Sequence, residues 1–168
     1  MSVAATQNER VAALTAAGTS VWLDQIRRSM IAEGELQRLI DEYSLRGVTS
    51  NPSIFQKAIL GSPDYDDELR RMAGEGLGSK EIYEQLAIED VQMAADVLRP
   101  VHDETGYDGF VSLEVTPDVA HDTDKTLAQA REYWQRLDRP NVMIKIPGTT
   151  AGVPAIEQAI YEGININV

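Results

Sequence analysis

The sequence predicts an α/β fold in which about five parallel strands alternate with helices. Short runs of β-forming residues, such as 142–146, are bounded by turn residues and separated by longer stretches with helical periodicity, such as 79–99. Strands that alternate with helices call for a parallel sheet joined by right-handed crossovers. No linker or low-complexity segment interrupts residues 1–168, so we expect one domain without an internal boundary.

The predicted elements follow one another along the whole chain. Strands are predicted at 20–23, 46–50, 109–115, 142–146 and 163–168. Helices are predicted at 8–17, 35–43, 52–59, 65–72, 79–99, 124–137 and 152–161. Ser79 and Thr150 carry the hydroxyl groups typical of helix N-caps, and Pro100 is expected to end the longest helix.

The composition excludes several classes of function. A formal net charge of −12 argues against nucleic acid and anionic membranes as partners, and no apolar run is long enough to span a membrane. The absence of cysteine excludes a disulfide scaffold, a thiolate zinc site and a cysteine nucleophile. The first ten residues lack the basic and apolar segments of a secretory signal, so we expect a cytoplasmic protein.

Lys145 interrupts the apolar strand predicted at 142–146. Burial favours the neutral form of a lysine, and the neutral amine is the nucleophile that forms a Schiff base with a carbonyl. The alternative is a lysine on an edge strand, whose stem lies along apolar surface while its ammonium group stays in water. This stretch by itself leaves both interpretations open.

Each predicted strand ends in a side chain that can form hydrogen bonds, transfer a proton or attack a carbonyl. These residues are Asp24, Thr49 with Asn51, Glu114, Lys145 and Asn167. The carboxyl ends of parallel strands carry the ligand site both in a barrel and in a doubly wound open sheet, so this pattern does not separate the two folds.

Each of these polar residues also has a purely structural interpretation. Asp24 could be an N-cap for the residues after it, and Asn51 before a proline could form only an Asx turn. Glu114 could be the buried partner of an arginine or lysine, and Asn167 could be a hydrogen-bonding residue at a strand end. If the strands are neighbours, however, Glu114 and Asp24 can serve Lys145 as acid and base groups.

Four stretches of the sequence resemble the transaldolases. Residues 47–55, GVTSNPSIF, are similar to their N-terminal motif, and residues 141–152 around Lys145 are similar to their active-site lysine motif. Residues 18–24 and 111–115 match strand ends of the same family. The resemblance implies a (β/α)₈ TIM barrel. Such a barrel needs about 250 residues, so we expect an incomplete barrel, an N-terminal portion that ends in the fifth strand.

The resemblance also implies an activity and a role for each residue. A transaldolase of the pentose phosphate pathway transfers a dihydroxyacetone unit from a ketose phosphate, such as sedoheptulose 7-phosphate or fructose 6-phosphate, to an aldose phosphate. Lys145 is then the Schiff-base nucleophile, Glu114 the acid and base that acts through water, and Asp24 the acid and base for carbon–carbon cleavage. The implied substrate-binding residues are Asn51, Thr49 and Asn167. The resemblance implies no metal and no organic cofactor, because the lysine imine is the electron sink.

Two other functions remain open at this point. The first is a related Schiff-base aldolase of the fructose 6-phosphate type, which dependence on an acceptor sugar would distinguish. The second is a catalytically incompetent half-barrel that only associates with itself, or with a complementary C-terminal half. The resemblance to transaldolases implies small phosphosugars as ligands. The half-barrel alternative makes the chain a candidate for homo-oligomer formation.

Overall fold

The structure, a computed structural model, describes residues 7–168; the start of the N-terminal segment in which we expected no secretory signal lies outside the described residues. The strands are β1 (Val21–Leu23), β2 (Leu45–Thr49), β3 (Phe110–Glu114), β4 (Val142–Lys145) and β5 (Ile166–Asn167). The helices are α1 (Glu9–Ala16), α2 (Arg28–Ala32), α3 (Glu35–Tyr43), α4 (Pro52–Gly61), α5 (Asp66–Gly74), α6 (Ser79–Thr105), α7 (Thr123–Leu137) and α8 (Gly152–Tyr161), with short 3₁₀ turns at Pro63–Tyr65 and Pro117–Val119.

The five strands form one parallel sheet in the order β1-β2-β3-β4-β5. Each strand therefore lies beside the strand that precedes it in the chain. A doubly wound sheet reverses its strand order at a switch point, whereas a (β/α) barrel adds its strands in sequence. The observed order confirms the predicted α/β class and favours the incomplete barrel over the doubly wound sheet.

The two faces of the sheet differ in chemistry because successive side chains of a strand point to opposite sides. On one face Val111, Leu113 and Ile144 are almost fully buried against the helices, in a core that α3, α6 and α7 complete. The other face carries Ser112, Glu114 and Lys145 in alternate positions. The sheet thus presents a polar inner face, and the apolar outer face anchors it to the helices.

Helix α6 is longer than predicted, because Pro100 does not end it. Pro100 lies on the exposed side of the helix, and the helix continues to Thr105. A proline inside a helix removes one hydrogen bond at a cost of about 3 kcal/mol, but Leu98 and Val101 on either side are buried in the core. Gly106, with φ of 73°, ends the helix instead. No helix within residues 7–168 is long and apolar enough to cross a membrane.

Two predicted caps are also wrong. The amide of Gly78, and not the hydroxyl of Ser79, is bonded at the start of α6, where it donates to the carboxylate of Glu81 at 2.7 Å. At α8 the hydroxyl of Thr149 accepts from the amide of Gly152 at 2.8 Å, in the place predicted for Thr150. In both helices a side chain other than the predicted one, Glu81 at α6 and Thr149 at α8, has the geometry to reach the free amide.

Candidate active site

Lys145 and Glu114 lie side by side on the polar face of the sheet. They occupy paired positions on β4 and β3, and the Lys145 Nζ is 3.3 Å from a Glu114 carboxylate oxygen. Their side chains are 25% and 18% exposed, so each is largely withdrawn from water but open to a ligand. Because β4 lies between β3 and β5, the alternative of an edge-strand lysine with its ammonium in water is wrong.

Thr49, Ser112 and Asn167 form a hydrogen-bonded chain beside this ion pair. The Ser112 hydroxyl donates to the Thr49 hydroxyl at 2.9 Å and accepts from the Asn167 amide at 3.2 Å. Ser112 is fully buried, and its hydroxyl is used in both directions. These two bonds use neither the hydroxyl hydrogen of Thr49 nor the side-chain oxygen of Asn167.

Sequence analysis did not single out Ser112. The signal was present, since Ser112 lies two residues before Glu114 and alternation places both on one face of β3. A second hydroxyl, that of Ser50, donates to the Ser112 carbonyl oxygen at 2.7 Å and holds β2 against β3 at this level.

Asn51 has a structural role as the N-cap of α4, which differs from the Asx turn that we considered as an alternative. Its side-chain oxygen caps α4 by accepting from the amide of Ile54 at 3.0 Å, and it also accepts from the hydroxyl of Ser53 at 2.6 Å. Pro52 occupies the first helical position, as expected. Within residues 7–168 the side-chain nitrogen of Asn51 has no protein partner, so it remains available as a donor beside Thr49.

Asp24 follows β1 at the carboxyl-terminal end of the sheet, and within residues 7–168 it forms no hydrogen bond with the other candidate residues. It is exposed, and within the described chain its carboxylate accepts no hydrogen bond and forms no ion pair. It does not cap α2, whose N-cap is Arg27. A cavity of about 340 Å³ lies between residues 24–27 and the α4 side chains Ile54 and Lys57.

Trp22 lies on the polar face of the sheet. Its indole ring lies so close to Gly47 that an added Cβ on this glycine would be 2.3 Å from the ring. The ring also lines a cavity of about 360 Å³ together with Met143 and Asn167. Gly47 is thus required by close approach, and Trp22 is a second site-lining residue that sequence analysis did not identify.

Tyr83 of α6 lies near the carboxyl end of β3. Its hydroxyl is buried and has no hydrogen-bond partner in the described part of the chain, while its ring packs edge-on against Phe55. Burial, followed by the negative charges of Glu114 and Glu84, raises the pKa of Tyr83 to about 12. The charge of Glu114 thus disfavours ionisation of the Tyr83 hydroxyl.

Comparison with known proteins finds a matching family and several similar proteins. Residues 21–168 match the family model described as "Transaldolase/Fructose-6-phosphate aldolase". The chain is 45% identical over 163 residues to a protein named "Transaldolase" from Saccharopolyspora erythraea, which covers 97% of this chain and 44% of that protein. It is 50% identical over 165 residues to "Transaldolase" from Mycobacterium marinum, with coverage of 98% and 44%.

A third relative is similar to the same extent. The chain is 49% identical over 152 residues to "Transaldolase 2" from a Nostoc species, and the match covers 90% of this chain and 40% of that protein. The chain thus spans about two fifths of the length of the curated relatives that it matches, 40% to 44% in these three comparisons.

Proposed function

Because the chain belongs to the transaldolase/fructose-6-phosphate aldolase family, we propose that it binds a ketose phosphate as a Schiff base on Lys145 and transfers a dihydroxyacetone unit to an aldose phosphate. The donor is sedoheptulose 7-phosphate or fructose 6-phosphate. We place the reaction in the pentose phosphate pathway and the protein in the cytoplasm. The single observation that carries the proposal is the contact of 3.3 Å between the Lys145 amine and the Glu114 carboxylate.

The contact suits the formation of the imine. Glu114 takes a proton from the Lys145 ammonium, the neutral amine attacks C2 of the ketose, and Glu114 returns this proton to the C2 oxygen, which becomes the hydroxyl of a carbinolamine. Nitrogen then loses a second proton to Glu114, and Glu114 passes it to this hydroxyl as the hydroxyl leaves as water. The carboxylate lies 3.3 Å from the amine, and a water molecule beside the carboxylate extends the proposed proton path to the leaving hydroxyl.

Asp24 is proposed as the base for carbon–carbon cleavage. It takes the proton of the C4 hydroxyl while the C3–C4 bond breaks, and the electron pair of this bond moves into the iminium group to give an enamine. The shorter aldose phosphate then leaves, and an acceptor aldose reverses these steps. Support comes from the exposed carboxylate of Asp24, which has no protein partner within residues 7–168 and is free to accept a proton.

Three polar residues are proposed to hold the hydroxyl groups of the bound three-carbon unit. The Thr49 hydroxyl and the side-chain nitrogen of Asn51 supply donors, and the carbonyl oxygen of Asn167 supplies an acceptor. Ser112 fixes the first and last of these by using its own hydroxyl for both. A unit held at several points stays on the enzyme until the acceptor arrives.

Borohydride trapping with fructose 6-phosphate tests the proposal. Reduction of the imine should leave a dihydroxyacetone adduct on the peptide that contains Lys145, as read by intact and peptide mass spectrometry. Lys145→Met should abolish the adduct, and Lys125→Met, which removes an exposed lysine of α7, should retain it. A folded sample without an adduct on Lys145 would contradict the proposal.

A fructose 6-phosphate aldolase is the second candidate, because the matching family model includes both activities. The two differ in the fate of the enamine, which is protonated in an aldolase and attacks an acceptor aldose in a transaldolase. Product release that requires an added aldose phosphate supports transfer. Release of free dihydroxyacetone without an acceptor supports the aldolase.

A further inference from the structure

Arg28, Tyr65 and Asp90 form a buried polar cluster, here named the Arg28 cluster. Asp90 lies in the middle of α6, is fully buried, and accepts from the Arg28 Nε at 2.8 Å and from the Tyr65 hydroxyl at 2.6 Å. The Tyr65 oxygen in turn accepts from the backbone amide of Arg28 at 3.0 Å. These bonds join α2, the 3₁₀ turn Pro63–Tyr65 and α6 at one point.

Two further contacts strengthen the junction. A terminal guanidinium nitrogen of Arg28 contacts Glu89 at 3.0 Å, and the Ser29 amide donates to Asp64 at 3.1 Å. Arg28 therefore uses different nitrogens of its planar group for two carboxylates, an arrangement that lysine does not reproduce. Its guanidinium carbon also lies 5.2 Å from the centre of the Tyr65 ring.

Stability alone is a weak explanation for such a cluster. Removing a carboxylate and a guanidinium from water has a large desolvation cost, and apolar residues of similar volume often stabilise a core equally well. Consistent with this cost, burial raises the pKa of Asp90, although hydrogen bonds from Tyr65 and Arg28 act in the opposite direction. What an ion pair adds is a defined geometry.

Arg28, one member of the cluster, follows Asp24 by four residues in the chain. This aspartate stands between two fixed points, the end of β1 paired with β2 and the start of α2 at Arg28. Between them Ile26 is fully buried, and the Asp24 carboxylate itself has no partner within residues 7–168. The position of Asp24 is thus set by its neighbours in the chain.

We propose that the Arg28 cluster positions Asp24 for carbon–carbon cleavage, so that Arg28, Tyr65 and Asp90 are positioning residues of the active site. The inference rests on the proposed function of Asp24. Through Tyr65, the Arg28 cluster also holds the 3₁₀ turn between α4 and α5. It therefore joins the segment after β1 to the segment after α4, and it fixes both against α6.

The test separates imine formation from cleavage. Trapping of dihydroxyacetone itself on Lys145 needs no carbon–carbon cleavage, whereas release of glyceraldehyde 3-phosphate from fructose 6-phosphate does. We expect Arg28→Lys and Tyr65→Phe to lower the release rate at least about tenfold, since a small misplacement of a reacting group has effects of this size. Trapping of dihydroxyacetone should stay within about twofold of the wild type.

Tyr133→Phe is the matched control. Tyr133 is a second buried tyrosine whose hydroxyl donates to a carboxylate, that of Glu84, but it joins α6 to α7 and not to α2. This variant removes an equivalent hydrogen bond and should not change the ratio of release to trapping. A release rate that falls in step with trapping in the Arg28 and Tyr65 variants would overturn the proposal.

Amide hydrogen exchange at Ser29 provides a readout without catalysis. The Ser29 amide and its acceptor Asp64 remain in both variants, so faster exchange there reports release of the whole segment. We expect exchange at Ser29 to rise at least about tenfold while exchange in β4 stays unchanged. Unchanged exchange at Ser29 would overturn the positioning role, whereas a wild type that fails to trap dihydroxyacetone would overturn the proposed function instead.

Discussion

Asn167 on β5 donates a hydrogen bond of 3.2 Å to the hydroxyl of Ser112 on β3, although β4 lies between their strands. The bond uses the side-chain nitrogen of Asn167 as donor, so the side-chain oxygen of Asn167 is not engaged by Ser112. Ser112, which sequence analysis did not single out, thus holds the side chain of Asn167, which sequence analysis did predict as a site residue.

Replacing Ser112 by alanine should impair the site more than the fold. The variant removes the acceptor of Asn167 and the donor to Thr49, and we expect the trapping rate on Lys145 to fall about tenfold. Ser50→Ala is the control, because Ser50 is equally buried and bonds to the Ser112 carbonyl oxygen from the other face. Each variant should lose about 1 kcal/mol in urea unfolding. Equal trapping rates in the two variants would contradict the assignment.

Glu114→Gln should lower the pKa of Tyr83. A nearby negative charge disfavours the phenolate, so its removal makes ionisation of Tyr83 easier and moves its pKa down from about 12. Nuclear magnetic resonance of ring-labelled tyrosine between pH 9 and about 12 follows this titration. Glu81→Gln, which removes an exposed carboxylate of α6, should leave the Tyr83 pKa unchanged. An equal titration in both variants would show that Glu114 and Tyr83 are independent.

Gly47→Ala should displace Trp22. The added methyl group would lie 2.3 Å from the indole ring, so the ring or the strand must move. We expect a loss of about 1–3 kcal/mol in unfolding free energy and a red shift of Trp22 fluorescence, measured with Trp134 replaced by phenylalanine. At Gly74 the new Cβ would have no atom within 4 Å, so Gly74→Ala should neither lower the unfolding free energy nor shift the Trp22 fluorescence to the red. Unaltered fluorescence of Gly47→Ala would disprove the close approach.

Two tyrosine variants should have opposite effects on stability. Tyr83→Phe removes a buried hydroxyl that has no partner in the described part of the chain, so stability should stay equal or rise. Tyr133→Phe removes a hydroxyl that donates to Glu84 at 3.1 Å, and should cost about 1–3 kcal/mol because this carboxylate loses a donor. Thermal unfolding compares the two. A marked loss in Tyr83→Phe would mean that its hydroxyl has a partner in solution.

Pro100→Ala should stabilise the protein. Alanine restores the amide that proline lacks in the middle of α6, a gain of up to about 3 kcal/mol that is reduced by up to about 1 kcal/mol because the unfolded chain becomes more flexible. Urea unfolding of wild type and variant measures the difference. Pro140→Ala, outside the helices, serves as the control and should bring no such gain. A lower midpoint for Pro100→Ala would show that the helix depends on its proline.

The strands and most helices could be predicted because their periodicity reflects burial directly. Residues 142–146 read as a buried strand because Val142, Ile144 and Ile146 pack into the core in the structure. Helix α2 was missed, since five residues are too few for a periodic pattern and its start is held by Arg28 across a distance of 62 residues to Asp90. Long-range ion pairs of this kind leave no local signal.

The candidate site was predictable where it depends on strand ends and unpredictable where it depends on side-chain contacts. Adjacent strands bring Glu114 to Lys145, as the expected parallel sheet implies. The sequence did not indicate that Ser112 would join Thr49 to Asn167, because a serine in an apolar strand has many possible partners. Nor did it show that the Asn51 oxygen would cap α4 while its nitrogen stays available.

The Lys145–Glu114 contact has a consequence for the origin of protons in the proposed reaction. The Lys145 ammonium must lose one proton to become a nucleophile, the C2 oxygen must gain one to become a hydroxyl, and the carbinolamine must gain another to release water. A paired ammonium and carboxylate hold both ends of this exchange within 3.3 Å. Nitrogen loses two protons in all and the C2 oxygen gains two, and Glu114 can carry one after the other, so imine formation requires no net exchange with solvent. The rate of that step should then be insensitive to buffer concentration.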